Sequence, residues 1–224
     1  IYTGEDTLSL HDALPISFCK KHPDIQPDVH LDDRIGNWVE DRVDVGFRIG
    51  ESLEDGVIAR RLFPLQLIMC CTPGYIQKYG VLKSIEDLAA HRCSAFRHPT
   101  SGQVIPWFFK EGDDVVLRNI SPALATNDAG LELEAVMSGE FMGQLANISV
   151  ADHIRSGRLV PMLVQHVADH IGVFIYYGTR DDQSARARAF IDFSIEQLAN
   201  SSAYMLSNKE LVAAEAKGRK LSSQ

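Results

Sequence analysis

The spacing of apolar and polar positions changes period several times along the chain. Val43, Val45, Phe47 and Ile49 alternate with Asp44, Gly46, Arg48 and Gly50, the period of two that marks a β-strand with one face buried. Residues 65–71 are nearly continuous in apolar character, as expected of a strand covered on both faces. Thr72-Pro73 then opens a helix, with Thr72 as N-cap, Pro73 in the first turn and Gly80 as terminator. Ser84 and Asp87 have capping-box spacing for a short helix. Residues 93–96 read as a strand, followed by a loop over 97–106. Apolar runs at 107–109 and 115–117 flank the turn Glu111-Gly112-Asp113-Asp114. Asn127 or Asp128 caps a helix that turns Leu131, Ala135 and Val136 inward and ends near Gly139. A strand near Phe141 precedes a helix over about 149–156, and strands follow over 159–164 and 173–177. The longest helix spans 184–200, with Ala189, Phe190, Phe193 and Leu198 facing in. Shorter signals place a strand at Val29 and Leu31 and a helix over 35–41.

Strands and helices alternate throughout, so the expected fold is α/β, with mixed and largely parallel sheets. Residues 70–172 carry strands and helices of their own. They fit a second lobe inserted into a first lobe made of about 18–69 and 173–201, with two chain crossings. Beyond Ser201 the chain turns polar, and 202–224 reads as a mobile tail, with room for one marginal helix over 208–224.

Composition narrows the function. The 224 residues are 45% hydrophobic and 23% charged, and 22 Lys and Arg stand against 30 Asp and Glu, a net charge of −8. Phosphate affinity comes from clustered Lys and Arg, so this acidic chain is not expected to hold DNA by itself. No apolar run approaches the roughly 20 residues of a membrane helix. Cys19, Cys70, Cys71 and Cys93 lack zinc-ribbon spacing and read as free thiols in a reducing cytoplasm. His166 and His170 are four apart, but their segment reads as strand and loop, so no metal is expected. There is no GxSxG, P-loop, HExxH or GxGxxG, so neither an enzyme nor a cofactor is expected. Glu132 and Glu134 lie two apart and read as solvated.

Candidate binding residues gather where predicted strands end and helices begin, the places at which α/β folds bind ligands. Thr72 is one, with unpaired N–H groups that favour a carboxylate, although capping alone also explains it. Asn127 and Asp128 occupy a second such position. The loop containing Arg97, His98, Thr100 and Ser101 packs a cation, an imidazole and two hydroxyls into six positions, which suits a small anion or polar ligand; a solvated loop has the same composition. Arg48 and Gly50 end a strand. Gly143 and Gln144 lie in a strand-to-helix connection where glycine permits close backbone approach. Residues 1–17 are different in kind. TLSLHDALPI, residues 7–16, resembles one reading frame of a DNA-sequencing adapter. Residues 1–17 are therefore expected to be irregular and outside the fold, and the natural chain to be longer.

Several motifs together resemble a known family. They are Val43-Asp44-Val45-Gly46-Phe47-Arg48-Ile49-Gly50, Ile58-Ala59-Arg60-Arg61-Leu62, Cys71-Thr72-Pro73-Gly74-Tyr75, Asp87-Leu88-Ala89-Ala90-His91-Arg92-Cys93, and Arg97-His98-Pro99-Thr100-Ser101-Gly102 with Pro106-Trp107. Asn127-Asp128, Ser156-Gly157-Arg158-Leu159-Val160-Pro161 and Arg186-Ala187-Arg188-Ala189-Phe190-Ile191-Asp192-Phe193 complete the series. In that order they resemble the effector-binding domain of LysR-type transcriptional regulators over about 18–200. The resemblance implies a two-lobed type II periplasmic-binding-protein-like fold, with its first strand and the family's winged helix-turn-helix missing here. It also implies a small polar or anionic effector between the lobes, a homodimer or homotetramer, promoter DNA reached only through the missing domain, and a cytoplasmic location without membrane contact. An extracytoplasmic solute-binding protein of the same fold is the alternative.

Overall fold

The computed structural model describes residues 10–30, 43–50, 58–98, 101–178, 183–199 and 201–220. The chain divides into two compact units, Ile1–Leu65 with Ile171–Ser201, and Gln66–His170 with Ser202–Gln224. The expected lobe edges at 69/70 and 172/173 therefore move to 65/66 and 170/171, and the chain crosses three times rather than twice.

The first unit contains α1 (Leu10–Lys21), β1 (Val45–Gly50), β2 (Ile58–Pro64), β10 (Gly172–Tyr177) and α5 (Ala185–Leu198). β10 is the central strand, antiparallel to both β1 and β2, with Val45 opposite Tyr177 and Tyr177 opposite Ile58. α5 starts at Ser184, whose hydroxyl accepts from the Ala187 N–H, and buries Ala187, Ile191, Phe193 and Leu198. α1 corrects the expectation of an irregular start over residues 10–17, which are helical; residues 1–9 lie outside the described residues. Leu14 and Phe18, one turn apart, are buried, and the Phe18 ring meets Phe190 edge-on at 4.9 Å and Phe193 at 5.5 Å. Burying one such ring contributes roughly 1.5–3 kcal/mol. Val29 is exposed and outside any strand. Leu31 and the helix expected over 35–41 lie outside the described residues.

The second unit contains β3 (Leu67–Cys71), α2 (Pro73–Tyr79), β4 (Ser94–Phe96), β5 (Trp107–Glu111), β6 (Asp114–Arg118), β7 (Leu124–Thr126), α3 (Ala129–Met137), β8 (Gly143–Ala146), α4 (Asn147–Arg155), β9 (Val160–Pro161) and α6 (Asn208–Arg219). β3 runs between β8 and β9, antiparallel to both. A parallel bridge from Met142 to Cys93 continues the sheet to β4, which pairs in parallel with β7. Among the described residues β4–β7 is the parallel ladder and the other strand ladders are antiparallel, contrary to the expectation of largely parallel sheets. Apart from the β5–β6 hairpin, the described ladders join strands that are not consecutive in the chain, so reading alternating strands and helices does not give their directions.

The apolar run at β3 has a direct cause. Ile68 and Cys70 point into one buried cluster with Val136, Leu145, Val150 and Leu211. Met69 and Cys71 point into another with Tyr75, Trp107, Phe109 and Met142. Both faces are covered, so no polar position alternates. β5 and β6 close through Gly112-Asp113, with Gly112 at φ +66°. The segment expected to be a mobile tail is α6 instead. Ser207 and Glu210 form its capping box, and Leu206, Leu211 and Glu215 are buried.

Candidate functional site

Strand directions decide which candidate residues share an end of the second unit. Cys70 pairs with Gly143 and Leu67 with Ala146, so β3 ends where β8 begins. β4 runs parallel to this part of the chain and β7 runs parallel to β4. β4 and β7 therefore end at the opposite edge of the sheet from β3. Thr72 follows β3 and sits with the far end of α3: its Oγ1 lies 3.1 Å from where a Cβ on Gly139 would stand. Asn127 and Asp128 open α3 at the other end. Thr72 is thus removed from the group that Arg97 and Asn127 form, and its hydroxyl is engaged as the α2 cap, accepting from the Tyr75 N–H at 3.1 Å.

The remaining second-unit residues do gather. The Arg97 N–H donates to the Thr126 carbonyl at 2.7 Å, which ties the loop after β4 to the start of α3. The Arg97 side chain is exposed and one guanidinium nitrogen donates to the Gly102 carbonyl at 2.5 Å. The Ser101 N–H donates to His98 Nδ1 at 3.2 Å, and the Gly102 N–H to the His98 carbonyl at 2.9 Å. Gly102 sits at φ +69°, where a side chain would be strained. Asp128 accepts from the Leu131 N–H at 2.6 Å and is the N-cap; Asn127 beside it is exposed. One edge of this unit thus presents a guanidinium, an imidazole, a hydroxyl, an amide and a carboxylate. Thr100 lies outside the described residues. Arg48 and Gly50 are in β1 of the other unit, opposite Phe174 and Gly172.

Two of the candidates are structural. Gln144 bonds the backbone of Phe108 twice, accepting from its N–H at 2.9 Å and donating to its carbonyl at 2.7 Å. This extends β8 sideways onto the β5–β6 hairpin. A Cβ on Gly143 would come within 2.7 Å of Ser94 Oγ and 2.8 Å of a Val136 methyl, so glycine is required there by close packing.

Glu132, read as solvated, is 4% exposed. Its carboxylate accepts from Ser94 Oγ at 2.9 Å, and burial pushes its pKa up to about 7. The signal was its spacing, since 132, 135 and 136 share one helix face; Leu131, expected inside, is 54% exposed. The thiols of Cys70, Cys71 and Cys93 are buried, which pushes Cys71 up to about 12, Cys93 up to about 11 and Cys70 well above the usual range. They remain protonated at neutral pH, the unreactive form. His166 Nδ1 is bonded to the Lys110 carbonyl at 2.9 Å.

The LysR substrate binding domain family model matches residues 14–199. The chain belongs to that family. LysR-type relatives include YcaN of Escherichia coli K12, an uncharacterized HTH-type transcriptional regulator, 32% identical over 81% of this chain and 59% of its own length. CrgA, an HTH-type transcriptional regulator of Neisseria meningitidis, is 29% identical over 86% of this chain and 64% of its own. The chain thus spans about three fifths of the length of these LysR-type relatives. The solved regulatory domain of CrgA superposes with a TM-score of 0.70 at 27% identity, over 83% of this chain and 90% of that one. Full-length AphB of Vibrio cholerae gives a TM-score of 0.70 at 20% identity, covering 82% of this chain and 62% of that one, a likeness of fold. The LysR-type α/β fold expected from the sequence is therefore the fold observed, and the relatives are regulators rather than enzymes or solute carriers.

Proposed function

We propose that this chain is the effector-sensing part of a bacterial LysR-type transcription regulator and that it binds a small polar or anionic molecule. The observation that carries the reading is the Arg97–Thr126 backbone bond, which brings the Arg97–Ser101 loop and the start of α3 to one edge of the second unit. Arg97 supplies the charge, His98 and Ser101 supply hydrogen bonds, and Asn127 supplies an amide that accepts or donates. Gly143 and Gln144 hold the sheet beneath and do not touch the ligand in this reading. Arg48 and Gly50 are the first unit's candidates, and Thr100 belongs to the same loop as Arg97. The regulator works as a homodimer or homotetramer in the cytoplasm and meets promoter DNA through a helix-turn-helix of the kind its relatives are named for. Effector binding changes the balance between conformers and so the pairing of subunits. The regulator names of the relatives favour this over a solute-binding role.

The test is a thermal-shift screen of the chain with inorganic sulfate, phosphate and a panel of small carboxylates. At least one anion should raise the melting temperature in a saturable way, and Arg97→Ala should weaken it by roughly 1.5–3 kcal/mol, the size of a charge-assisted hydrogen bond. An anion response unchanged in Arg97→Ala would overturn the assignment of this edge.

A further inference from the structure

The third crossing is built differently from an ordinary linker. Leu65 N–H donates to the Ile171 carbonyl at 3.0 Å and Leu67 N–H to the Ala168 carbonyl at 2.9 Å, which holds the first two crossings side by side. The third, entering the second unit at Ser202, is fastened to the first. The Gln66 side chain brackets Leu206, donating to its carbonyl at 2.8 Å and accepting from its N–H at 3.0 Å. Asn147, fully buried at the start of α4, accepts from the Gln66 N–H at 3.1 Å and donates to the Tyr204 carbonyl at 2.9 Å. Arg155, at the end of α4, donates to the carbonyls of Ser202, Ala203 and Met205 at 2.5–2.8 Å and pairs with Glu210 at 3.1 Å. One guanidinium thereby satisfies three backbone carbonyls that no sheet ladder takes, a use suited to its fixed fork of donors.

Beyond the clasp, α6 is locked in place. Glu215 accepts from the Leu163 N–H at 2.7 Å, and Gly218 lies so close to Val160 that a Cβ could not be added. α5 ends at Leu198, and the Ser201 N–H still bonds the Leu198 carbonyl at 3.1 Å. Only residues 199–201 separate the end of a packed helix from the first clasped carbonyl. The family model stops at residue 199, so the clasped segment and α6 lie outside the part of the chain that defines the family.

We propose that residues 202–206 are a short third strap, fastened by Arg155, Gln66 and Asn147, that limits how far the two units reorient. Adjacent short crossings permit a hinge, and a third one fixed at the same place narrows its range. The narrowing follows from length: three inserted flexible residues add about 10 Å of reach. The strap would thus set the amplitude of any effector response without touching the effector.

The test measures the distribution of distances between the units. Spin labels go on the exposed native Cys19 in α1 and on a cysteine introduced by Leu117→Cys in β6, where Leu117 is 55% exposed; Cys70, Cys71 and Cys93 are buried. Labelled chain is diluted with unlabelled chain so that pairs within one chain are read. Inserting Gly-Ser-Gly between Ser201 and Ser202 slackens the strap and leaves the clasp intact. It should broaden the distribution by several Å, on the scale of the added reach, with the melting temperature unchanged. Arg155→Ala should broaden it too, and should speed hydrogen exchange at Leu206 and at Leu67 together by about tenfold, as one opening unit. If Arg155→Ala fails to fold, the insertion alone decides. An insertion variant with the parent distribution overturns the proposal and leaves the segment a structural part of the second unit.

Discussion

At the scale of the residue, Glu132 is the most consequential departure from what the sequence suggested. A carboxyl buried with a serine hydroxyl for company is held near neutrality by the cost of charging it. Its pKa rises from 4.5 to about 7 on folding. Between these values the folded chain binds more protons than the unfolded one, so stability falls as pH rises from about 4.5 through about 7 and levels off above. The full effect is on the order of 3 kcal/mol, at 1.36 kcal/mol per pKa unit. Glu132→Gln keeps an acceptor for Ser94 and removes the charge. Melting curves from pH 5 to 8 should show this slope in the parent and lose it in Glu132→Gln, with the variant the more stable at pH 8. A parent slope that persists in the variant would assign the titration elsewhere. A second residue-scale expectation concerns the glycine beneath the same serine: Gly143→Ala should cost roughly 1–3 kcal/mol in denaturant unfolding, as overpacking does. Neither feature is read from composition. Glu132 is hard to read because Leu131, Ala135 and Val136 look like the inward face, whereas the buried face is Glu132, Ala135 and Val136, with a carboxylate where the apolar pattern offers Leu131.

At the scale of the element, legibility followed local chemistry. The Thr72 cap, Pro73 in the first turn and Gly80 at the end of α2 stand as read, and so does the Asp128 cap of α3. These signals are contained within four residues. α6 reads as no more than a marginal helix in a tail because its buried positions, Leu211, Glu215 and Gly218, are not an apolar stripe: one is a carboxylate that serves a backbone N–H, one is a glycine. Its capping box at Ser207 and Glu210 was nonetheless written in the sequence. The glycine yields a prediction opposed to helix propensity. Gly218→Ala in an exposed helix would stabilise by about 1 kcal/mol. Here the added methyl meets Val160, so Gly218→Ala should instead loosen α6 and expose Lys217 and Arg219 to trypsin faster than in the parent. Slower cleavage would mean that α6 is not packed against β9. Strand pairing is legible only where it is local, at the β5–β6 hairpin; elsewhere it joins strands far apart in sequence, as where β3 runs between β8 and β9.

At the scale of the whole molecule, the charge distribution sets what this chain can hold without help. Bases number 22 and acids 30, and the bases are dispersed among the acids. Lys21 pairs with Glu196, Lys78 with Glu140, Lys110 with Asp169, Arg118 with Glu111, Arg155 with Glu210 and Arg219 with Glu215. Apart from the one that uses the buried Glu215, such exposed pairs add little to stability, but each places a carboxylate beside a cation that a phosphate would need. Affinity for a duplex grows with the number of phosphates neutralised, and a protein making 6–10 such contacts shows a steep loss of affinity with salt. A face with alternating charges makes few of them, and the net negative field repels the duplex before contact. The chain alone should therefore show no salt-sensitive affinity for promoter-length DNA in an anisotropy titration. Non-specific binding of dedicated DNA-binding proteins lies at about 10⁻⁴–10⁻⁶ M, so binding tighter than about 10⁻⁶ M at physiological salt would contradict this reading. It would also locate a basic surface among residues that the pairing pattern does not reveal. The same argument limits the effector. A molecule reaching Arg97 does so against a net charge of −8, so a small anion gains from the local guanidinium and its neighbouring donors rather than from steering by the molecule as a whole. Raising salt should accordingly change its affinity far less than it would change that of a duplex, because a single contact at hydrogen-bond range is screened less than an array spread beyond a Debye length of about 8 Å.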